Sequence, residues 1–439
     1  MPIDKPNSSD NPAVLSAIEA AQALRSGMLT SVDLVTACLD RIDRRDGDVR
    51  AWSHYDRDAA ILQAKAADAR RATGEKLGLF HGLPVGVKDV FDTADMPSEY
   101  GSEIYRGRRP AADAAAVTRL REAGAIIIGK TATSEFGMYH PSPTRNPLDL
   151  TRSPGVSSAG SAAAVVDYMV PLALGTQHTA STTLPASFCG AYAFKPSLGF
   201  SDMRGSNILV PRLAHLGFLA RSVEDLGFFA SAFDPDLGDT GWSDALPAPR
   251  MAFVCGPAWP LASQDAAAAL ETLLAKVAGK VGALKEASLP REFDDALIVV
   301  MGLLDAHLAF RFGGLREEDF SRLCPPLRAG VENGRTTSAP RYLELDAQAD
   351  RLTELASDLF ADRDLLVTLS TPGEATRLED GPGSGAMSMP WSLCGLPTVS
   401  LPLLTGAHGL PIGVQLIGQH GRDHYLLKAA SWFVSRAGL

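Results

Sequence analysis

Short apolar runs alternate with helical segments along the chain, and this order constrains the fold more than any other feature. The apolar run 125–129 follows a helical segment, and the run 170–175 follows the Ala-rich segment 162–168. The helical segment 223–233 is likewise followed by the run 250–254. Short continuous apolar runs are typical of strands buried on both faces of a sheet. The alternation predicts an α/β fold with a mixed β-sheet core surrounded by helices.

The domain organisation follows from the absence of linkers and internal repeats in the sequence. We expect residues 1–439 to form a single large domain. Residues 264–286 and 294–360 have mostly helical patterns and are less apolar, so 264–360 is predicted to form a peripheral helical lobe over the site. The runs 365–369, 398–402 and 412–417 are predicted strands, and 423–435 a closing helix.

Local patterns predict further elements. Residues 57–72 are Ala-rich and predict a helix, and residues 84–90 predict a short strand. Ser31 is expected to cap a helix that carries apolar residues at helical spacing. Residues 374–390 are rich in Gly, Ser and Met and predict a loop.

Charge and cysteine content restrict the partners. The net charge is −10 and no long basic run is present, which argues against nucleic acid as a partner. The five cysteines are scattered without a C-x-x-C pair, so neither a metal site nor a disulfide framework is predicted. No run approaches the ~18 apolar residues of a membrane span. We expect a cytoplasmic protein without cofactor or membrane contact, for which a homodimer is the one assembly considered.

Three polar segments carry the predicted chemistry. Lys88 ends the apolar run 83–87, Ser157 lies in the Gly/Ser-rich segment 154–161, and Ser181 follows Gly175-Thr176-Gln177-His178. A serine hydroxyl becomes a nucleophile when a base removes its proton. Lysine can be that base if burial keeps it neutral. A surface lysine and helix-capping serines remain the alternatives at this point.

These segments together resemble the Ser–cisSer–Lys triad of the amidase signature family, which hydrolyses C–N bonds. The two serines are 24 residues apart, as in that family. The resemblance covers nearly the whole chain and includes Gly82-Leu83-Pro84-Val85-Gly86-Val87-Lys88-Asp89, Arg145-Asn146-Pro147, Phe194-Lys195-Pro196, 220–226, Gly395-Leu396-Pro397 and 409–415. It implies that Ser157 has a cis peptide bond and relays protons between Lys88 and the nucleophile Ser181. It also implies an oxyanion hole built from the backbone amides of His178, Thr179, Ala180 and Ser181.

The nucleophile loop departs from the family pattern. Thr179 and Ala180 stand where the family has glycine, and Thr182-Thr183-Leu184 stand where an arginine is common. A β-branched residue such as Thr179 resists a positive φ, so the loop either has ordinary dihedrals or has shifted. Three interpretations stay open, namely a divergent substrate pocket, a redesigned loop and a degraded enzyme.

The substrate is predicted from the residues expected around the site. If Phe136, Met138, Tyr139, Leu184 and Trp391 line the pocket, the substrate is a neutral, apolar amide such as an aryl amide. Core packing is the alternative for each of these residues. The resemblance to compact bacterial amidases and aryl acylamidases, which include urethanases, adds carbamates as substrates.

Two other functions remain open from the sequence. The first is a glutamine-hydrolysing amidotransferase component, which would need partner subunits. The second is a catalytically impaired family member that acts as a binding protein.

Overall fold

The computed structural model describes residues 11–138, 140–238, 246–281 and 285–438. The helices in this part of the chain are α1 Ala17–Ser26, α2 Ser31–Val49, α3 Arg57–Ala72, α4 Ala115–Glu122, α5 Ala159–Val166, α6 Thr183–Cys189, α7 Val223–Ala230, α8 Gln264–Val281, α9 Ala296–Phe312, α10 Glu317–Arg322, α11 Pro325–Arg335, α12 Ala339–Asp358, α13 Met389–Leu393 and α14 Asp423–Ala437. The strands are β1 Trp52–Tyr55, β2 Pro84–Lys88, β3 Ile126–Thr131, β4 Leu172–Gln177, β5 Tyr192–Lys195, β6 His215–Ala220, β7 Met251–Val254, β8 Lys285–Ala287, β9 Leu365–Leu369, β10 Thr398–Thr405 and β11 Pro411–Gly418.

These strands form one mixed sheet with the order β1-β3-β2-β4-β6-β5-β10-β11-β9-β7-β8. Strand β2 runs parallel to both of its neighbours, β3 and β4. Strands β10 and β11 pair antiparallel, as do β4 and β6. The predicted mixed sheet surrounded by helices is therefore confirmed. Every residue of β2, β3 and β4 is buried, which explains why these strands appear in the sequence as continuous apolar runs.

The element bounds agree with the sequence patterns in their centres and differ at their ends. Helix α3 spans the predicted residues, and β9 coincides with the predicted run. The expected cap of α2 was wrong by one residue, because Thr30 is the N-cap and its side chain accepts a hydrogen bond from Asp33 N. The predicted loop 374–390 also contains a short 3₁₀ turn, Leu378–Asp380, and the start of α13.

The carboxyl ends of β2 and β4 bring the predicted chemistry to one edge of the sheet. The two strands are adjacent and parallel, with Val87 opposite Leu174. Lys88 is the last residue of β2, and the chain leaves β4 at Gln177 directly into the segment with Ser181. Sites in open α/β sheets lie outside the carboxyl ends of parallel strands for this topological reason.

The helical lobe, defined here as α9–α12, packs as a second apolar cluster over the site side of the molecule. Helix α9 contacts α11 and α12, while α8 packs against the sheet and α14, apart from the lobe. The lobe cluster also contains Phe136 and Trp391 from the main body. Arg212 ties the main body to α12 through Asp346 at 2.9 Å and Asp350 at 2.6 Å.

Hydropathy along the helices bears on membrane contact. In the described ranges, we find no helix whose length and apolar content would allow it to cross a membrane.

Candidate active site

Lys88 is the buried centre of the site. Its side chain is inaccessible to solvent, and its Nζ lies 2.6 Å from Ser157 Oγ and 2.8 Å from Thr176 Oγ1. No carboxylate pairs with it among the described residues. Burial holds the pKa of Lys88 well below its usual value, because the ammonium form loses its hydration. A neutral amine has a lone pair on Nζ that can accept the hydroxyl proton of Ser157.

Ser157 sits in a left-handed backbone conformation. Its φ is +69°, which is uncommon for a residue other than glycine and is typical of functional sites. The expected cis peptide bond is not observed, since all described peptide bonds are trans. The left-handed turn presents Ser157 Oγ to Lys88 instead. A methyl group added at Gly137 would lie 3.4 Å from Ser157 Oγ and 3.8 Å from Lys88 Nζ, so this glycine leaves room beside both groups.

Ser181 is the most accessible of the three residues. It is 8% exposed, compared with 1% for Ser157 and 0% for Lys88. Ser158 N donates to Ser181 O at 3.1 Å, which holds the two serine-bearing loops together. Ser181 Oγ has no hydrogen-bond partner among the described residues. This gradient of exposure leaves Lys88 enclosed by the protein and Ser181 nearest to solvent among the three.

Thr176 is a site residue that the sequence reasoning missed. Its hydroxyl contacts Lys88 Nζ, and its carbonyl oxygen accepts from Ser158 Oγ at 3.2 Å. Thr176 therefore links the lysine to the Ser157–Ser158 loop. Its position in Gly175-Thr176-Gln177, directly before the nucleophile loop, is the sequence feature that could have identified Thr176 as a site residue.

The amide of Gln177 organises the nucleophile loop from within. Its Oε1 accepts from Thr182 N at 2.9 Å and Thr183 N at 3.0 Å, and its Nε2 donates to Ser392 Oγ at 2.9 Å. Ser392 Oγ in turn donates to Thr179 O at 2.7 Å. The loop is thus clamped on both sides of Ser181 by one buried side chain.

We expect Gln177→Leu to disorder this loop. Leucine has a similar volume but leaves the amides of Thr182 and Thr183 buried without an acceptor, which costs about 1–3 kcal/mol for each unsatisfied group. Chemical denaturation should show a lower free energy of unfolding, and the rate of Ser181 labelling by a fluorophosphonate should fall. Gln415→Leu, which removes another fully buried amide away from the loop, is the control. Unchanged labelling in Gln177→Leu would contradict the role of the clamp.

The predicted oxyanion amides are available for a ligand. No described residue accepts a hydrogen bond from the backbone N–H groups of residues 178–181. Thr179 and Ala180 have φ values outside the left-handed region, so the loop uses ordinary dihedrals. The methyl group of Ala180 fits because Gly385 faces it, and a Cβ at Gly385 would lie 2.4 Å from that of Ala180. The substitution of glycine in this loop therefore introduces no backbone strain.

The residues predicted to line the pocket fall into three groups. Phe136 and Trp391 are each 1% exposed and pack in the lobe cluster, against Phe312 and Phe293 respectively, which favours the core-packing alternative. Met138 is buried in the same cluster.

Leu184 has a different environment. It packs beside Ala180, with Val156 against the same small cluster, and so provides an apolar surface close to both serine loops. Tyr139 lies outside the described residues.

Comparison with known proteins decides the family. The amidase family model matches residues 33–278 and 312–427. The chain belongs to the amidase family. A putative amidase, AmiD, of Mycobacterium bovis is 31% identical over 458 residues, covering 97% of this chain and 94% of that protein. A crystal structure of an amidase superposes with a TM-score of 0.88 at 28% identity, covering 96% of this chain and all of the other. The chain is therefore an amidase-signature hydrolase of amides, as the sequence resemblance implied.

A further relative in this family is an amidotransferase subunit. It is a component of the glutamyl-tRNA(Gln) amidotransferase of Thermobifida fusca, and it is 44% identical over 225 residues, which cover 50% of this chain and 45% of that protein. This local similarity is stronger than that to AmiD but involves half of each chain.

Proposed function

We propose that the protein hydrolyses neutral amides and carbamates through an acyl-enzyme on Ser181. The observation that carries this proposal is the uncharged environment of Lys88, whose Nζ lies 2.6 Å from Ser157 Oγ with no carboxylate partner among the described residues. A lysine kept neutral in this way is a base near neutral pH. Its connection toward the nucleophile passes through the Ser157 hydroxyl.

The proposed proton path begins at the Lys88–Ser157 contact, and its step from Ser157 to Ser181 is the one that the family resemblance implies. Lys88 takes the proton of Ser157 as Ser157 takes that of Ser181, and Ser181 Oγ attacks the substrate carbonyl carbon. The carbonyl oxygen becomes an oxyanion that the free amides of residues 178–181 stabilise. The C–N bond then breaks, and the proton returns from Lys88 through Ser157 to the leaving nitrogen. Water repeats the attack on the ester, and the same relay restores Ser181.

The surroundings of Ser181 support an uncharged substrate. Val156, Ala180 and Leu184 provide an apolar surface beside the nucleophile. No arginine follows the nucleophile in α6, and Arg212 on the lobe side is occupied by Asp346 and Asp350. An anionic substrate would therefore find no arginine in α6 and an Arg212 that is already paired, whereas an aryl amide or aryl carbamate would bury apolar surface.

Matched chromogenic substrates test this proposal. We expect release of para-nitroaniline from para-nitroacetanilide and from methyl para-nitrophenylcarbamate, which share the leaving amine and differ by one oxygen. Glutamine is the control substrate, assayed by ammonia release. Absence of turnover with both aryl substrates, together with no labelling of Ser181 by a fluorophosphonate, would contradict the proposal and favour a binding protein that retains the fold.

The amidotransferase similarity gives a second candidate. Because 225 residues are 44% identical to the Thermobifida fusca protein, glutamine hydrolysis within a larger assembly is the alternative. Ammonia release from glutamine that appears only with co-purified partner chains would favour it over the first proposal.

A further inference from the structure

His178 is a buried residue of the nucleophile loop for which the triad mechanism uses only the backbone. It lies three residues before Ser181 and is 5% exposed. Leu209 N donates to His178 Nε2 at 3.3 Å, and Leu209 belongs to the lobe cluster. The ring is therefore anchored on the lobe side of the site through one nitrogen.

This contact determines which ring nitrogen carries the proton. Burial lowers the pKa of His178 to about 3, so the ring is neutral at neutral pH. Because Nε2 accepts from a backbone N–H, the proton of the neutral ring is on Nδ1. Nδ1 makes no hydrogen bond to any other described residue. The site thus contains a side-chain donor without an acceptor in the described chain.

Three other titratable side chains lie near enough to His178 to interact with it electrostatically. Lys88 lies on the triad side, and His215 is close enough to interact from β6. His307 interacts electrostatically with His178 from α9. Its Nε2 lies 3.2 Å from Tyr342 Oη on α12. Burial also lowers the pKa of His307, against the opposing charge of Asp346, so the His178 and His307 rings on this wall are neutral at neutral pH. Such a wall suits a neutral group with hydrogen-bond acceptors.

We propose that His178 Nδ1–H donates a hydrogen bond to the bound substrate, at an acceptor oxygen beside the scissile carbonyl. The substrate class that supplies such an atom is a neutral compound with a second oxygen beside that carbonyl, such as the alkoxy oxygen of a carbamate. The inference rests on the proposed hydrolysis and adds the residue that selects carbamates over simple amides. A site that holds a donor for such an oxygen disfavours the analogue that lacks it.

Two replacements of His178 separate this role from a structural one. The amide nitrogen of asparagine can take the place of Nδ1, whereas the end of the glutamine side chain can take the place of Nε2 and keep the contact with Leu209 N. We expect His178→Asn to retain kcat/KM for methyl para-nitrophenylcarbamate within about threefold, and His178→Gln to lose about tenfold or more. The loss in His178→Gln should be smaller for para-nitroacetanilide. Thermal unfolding of both variants reports whether the fold is kept.

Other results would overturn the inference. If His178→Gln is active and His178→Asn is impaired, the residue acts only as the acceptor for Leu209 N. Equal effects of the two variants, or equal losses on carbamate and anilide, also overturn it. Failure of the proposed function is distinct, because the wild-type protein would then turn over neither aryl substrate. In that case the inference falls together with the function.

Discussion

Ser181→Ala is expected to abolish hydrolysis and leave the fold unchanged. The variant loses the only atom proposed to bond covalently to the substrate, and removal of such a nucleophile lowers kcat by about 10³-fold or more. Ser181 Oγ makes no hydrogen bond to described residues, so its loss leaves no buried group unsatisfied. The measurement is hydrolysis of para-nitroacetanilide by wild type and variant, together with mass spectrometry after fluorophosphonate treatment. The probe should add to wild-type Ser181 and fail to add to the variant.

A serine far from the site is the control for this experiment. Ser435→Ala on α14 removes a hydroxyl that donates only to Trp432 O at 2.7 Å, and it should retain wild-type hydrolysis and labelling. Residual turnover above a few per cent in Ser181→Ala would show that another group attacks the carbonyl. The hydroxyls nearest in the chain, Thr182 and Thr183, would be the next candidates.

Lys88→Met is the second change with a large expected effect, because it removes the base and keeps the length and burial of the side chain. We expect kcat/KM to fall by about 10³-fold or more. In wild type, the reaction needs unprotonated Lys88, so kcat/KM should rise with pH and level off well below 10.5, following the lowered pKa of the lysine. The variant should show no such rise. A wild-type profile that rises only near pH 10 would contradict a neutral lysine in the folded protein.

The same pKa shift predicts how stability depends on pH. The folded-state pKa of Lys88 lies below that of the unfolded chain, so between these values the unfolded chain binds more protons. Stability therefore rises with pH across this window through the contribution of Lys88. Lys88→Met removes this dependence, so the margin between the free energies of unfolding of wild type and variant should shift in favour of wild type as the pH rises toward 10.5. Denaturant unfolding at several pH values measures this margin.

A second buried lysine provides the matched control. Lys195 at the end of β5 is 1% exposed, and burial lowers its pKa to about 7. Its Nζ donates to the carbonyl oxygens of Pro196 and Leu396, away from the serine loops. Lys195→Met leaves those two carbonyls unsatisfied, so its stability should fall while the folded fraction keeps its hydrolytic activity. Loss of activity per folded molecule would show that the site depends on buried lysines in general.

Prediction of the secondary structure succeeded where one local pattern decides the outcome. The fully buried strands β3 and β9 and the Ala-rich helix α3 were identifiable from their residues, because a strand covered on both faces is apolar along most of its length. The ends of elements were less predictable. Thr30 and Ser31 are equally good caps in sequence, and only the hydrogen bond to Asp33 N distinguishes them.

The pocket shows where sequence reasoning stops. Phe136 and Trp391 are large apolar residues, which occur both in pockets and in cores. Their packing against the lobe places them in the core. The lobe contacts that decide this involve residues that are distant in the chain, such as Phe312 against Phe136. Thr176 is recognisable as a site residue only from its contact with Lys88. The proton on Nδ1 of His178 likewise follows only from the hydrogen bond that Leu209 N donates to Nε2.

The sequence by itself determined the α/β class and the family, and it predicted Lys88, Ser157 and Ser181 as the triad, because these depend on local patterns and their order. The tertiary structure decided the burial that lowers the pKa of Lys88, the ordinary backbone of Thr179 and Ala180, and which donors of the nucleophile loop have no partner among the described residues. The physical reason is that burial, and therefore pKa and hydrogen-bond satisfaction, depends on every element packed around a group. In this chain, β2, β4 and the two serine loops converge from separate segments to remove water from a single amine.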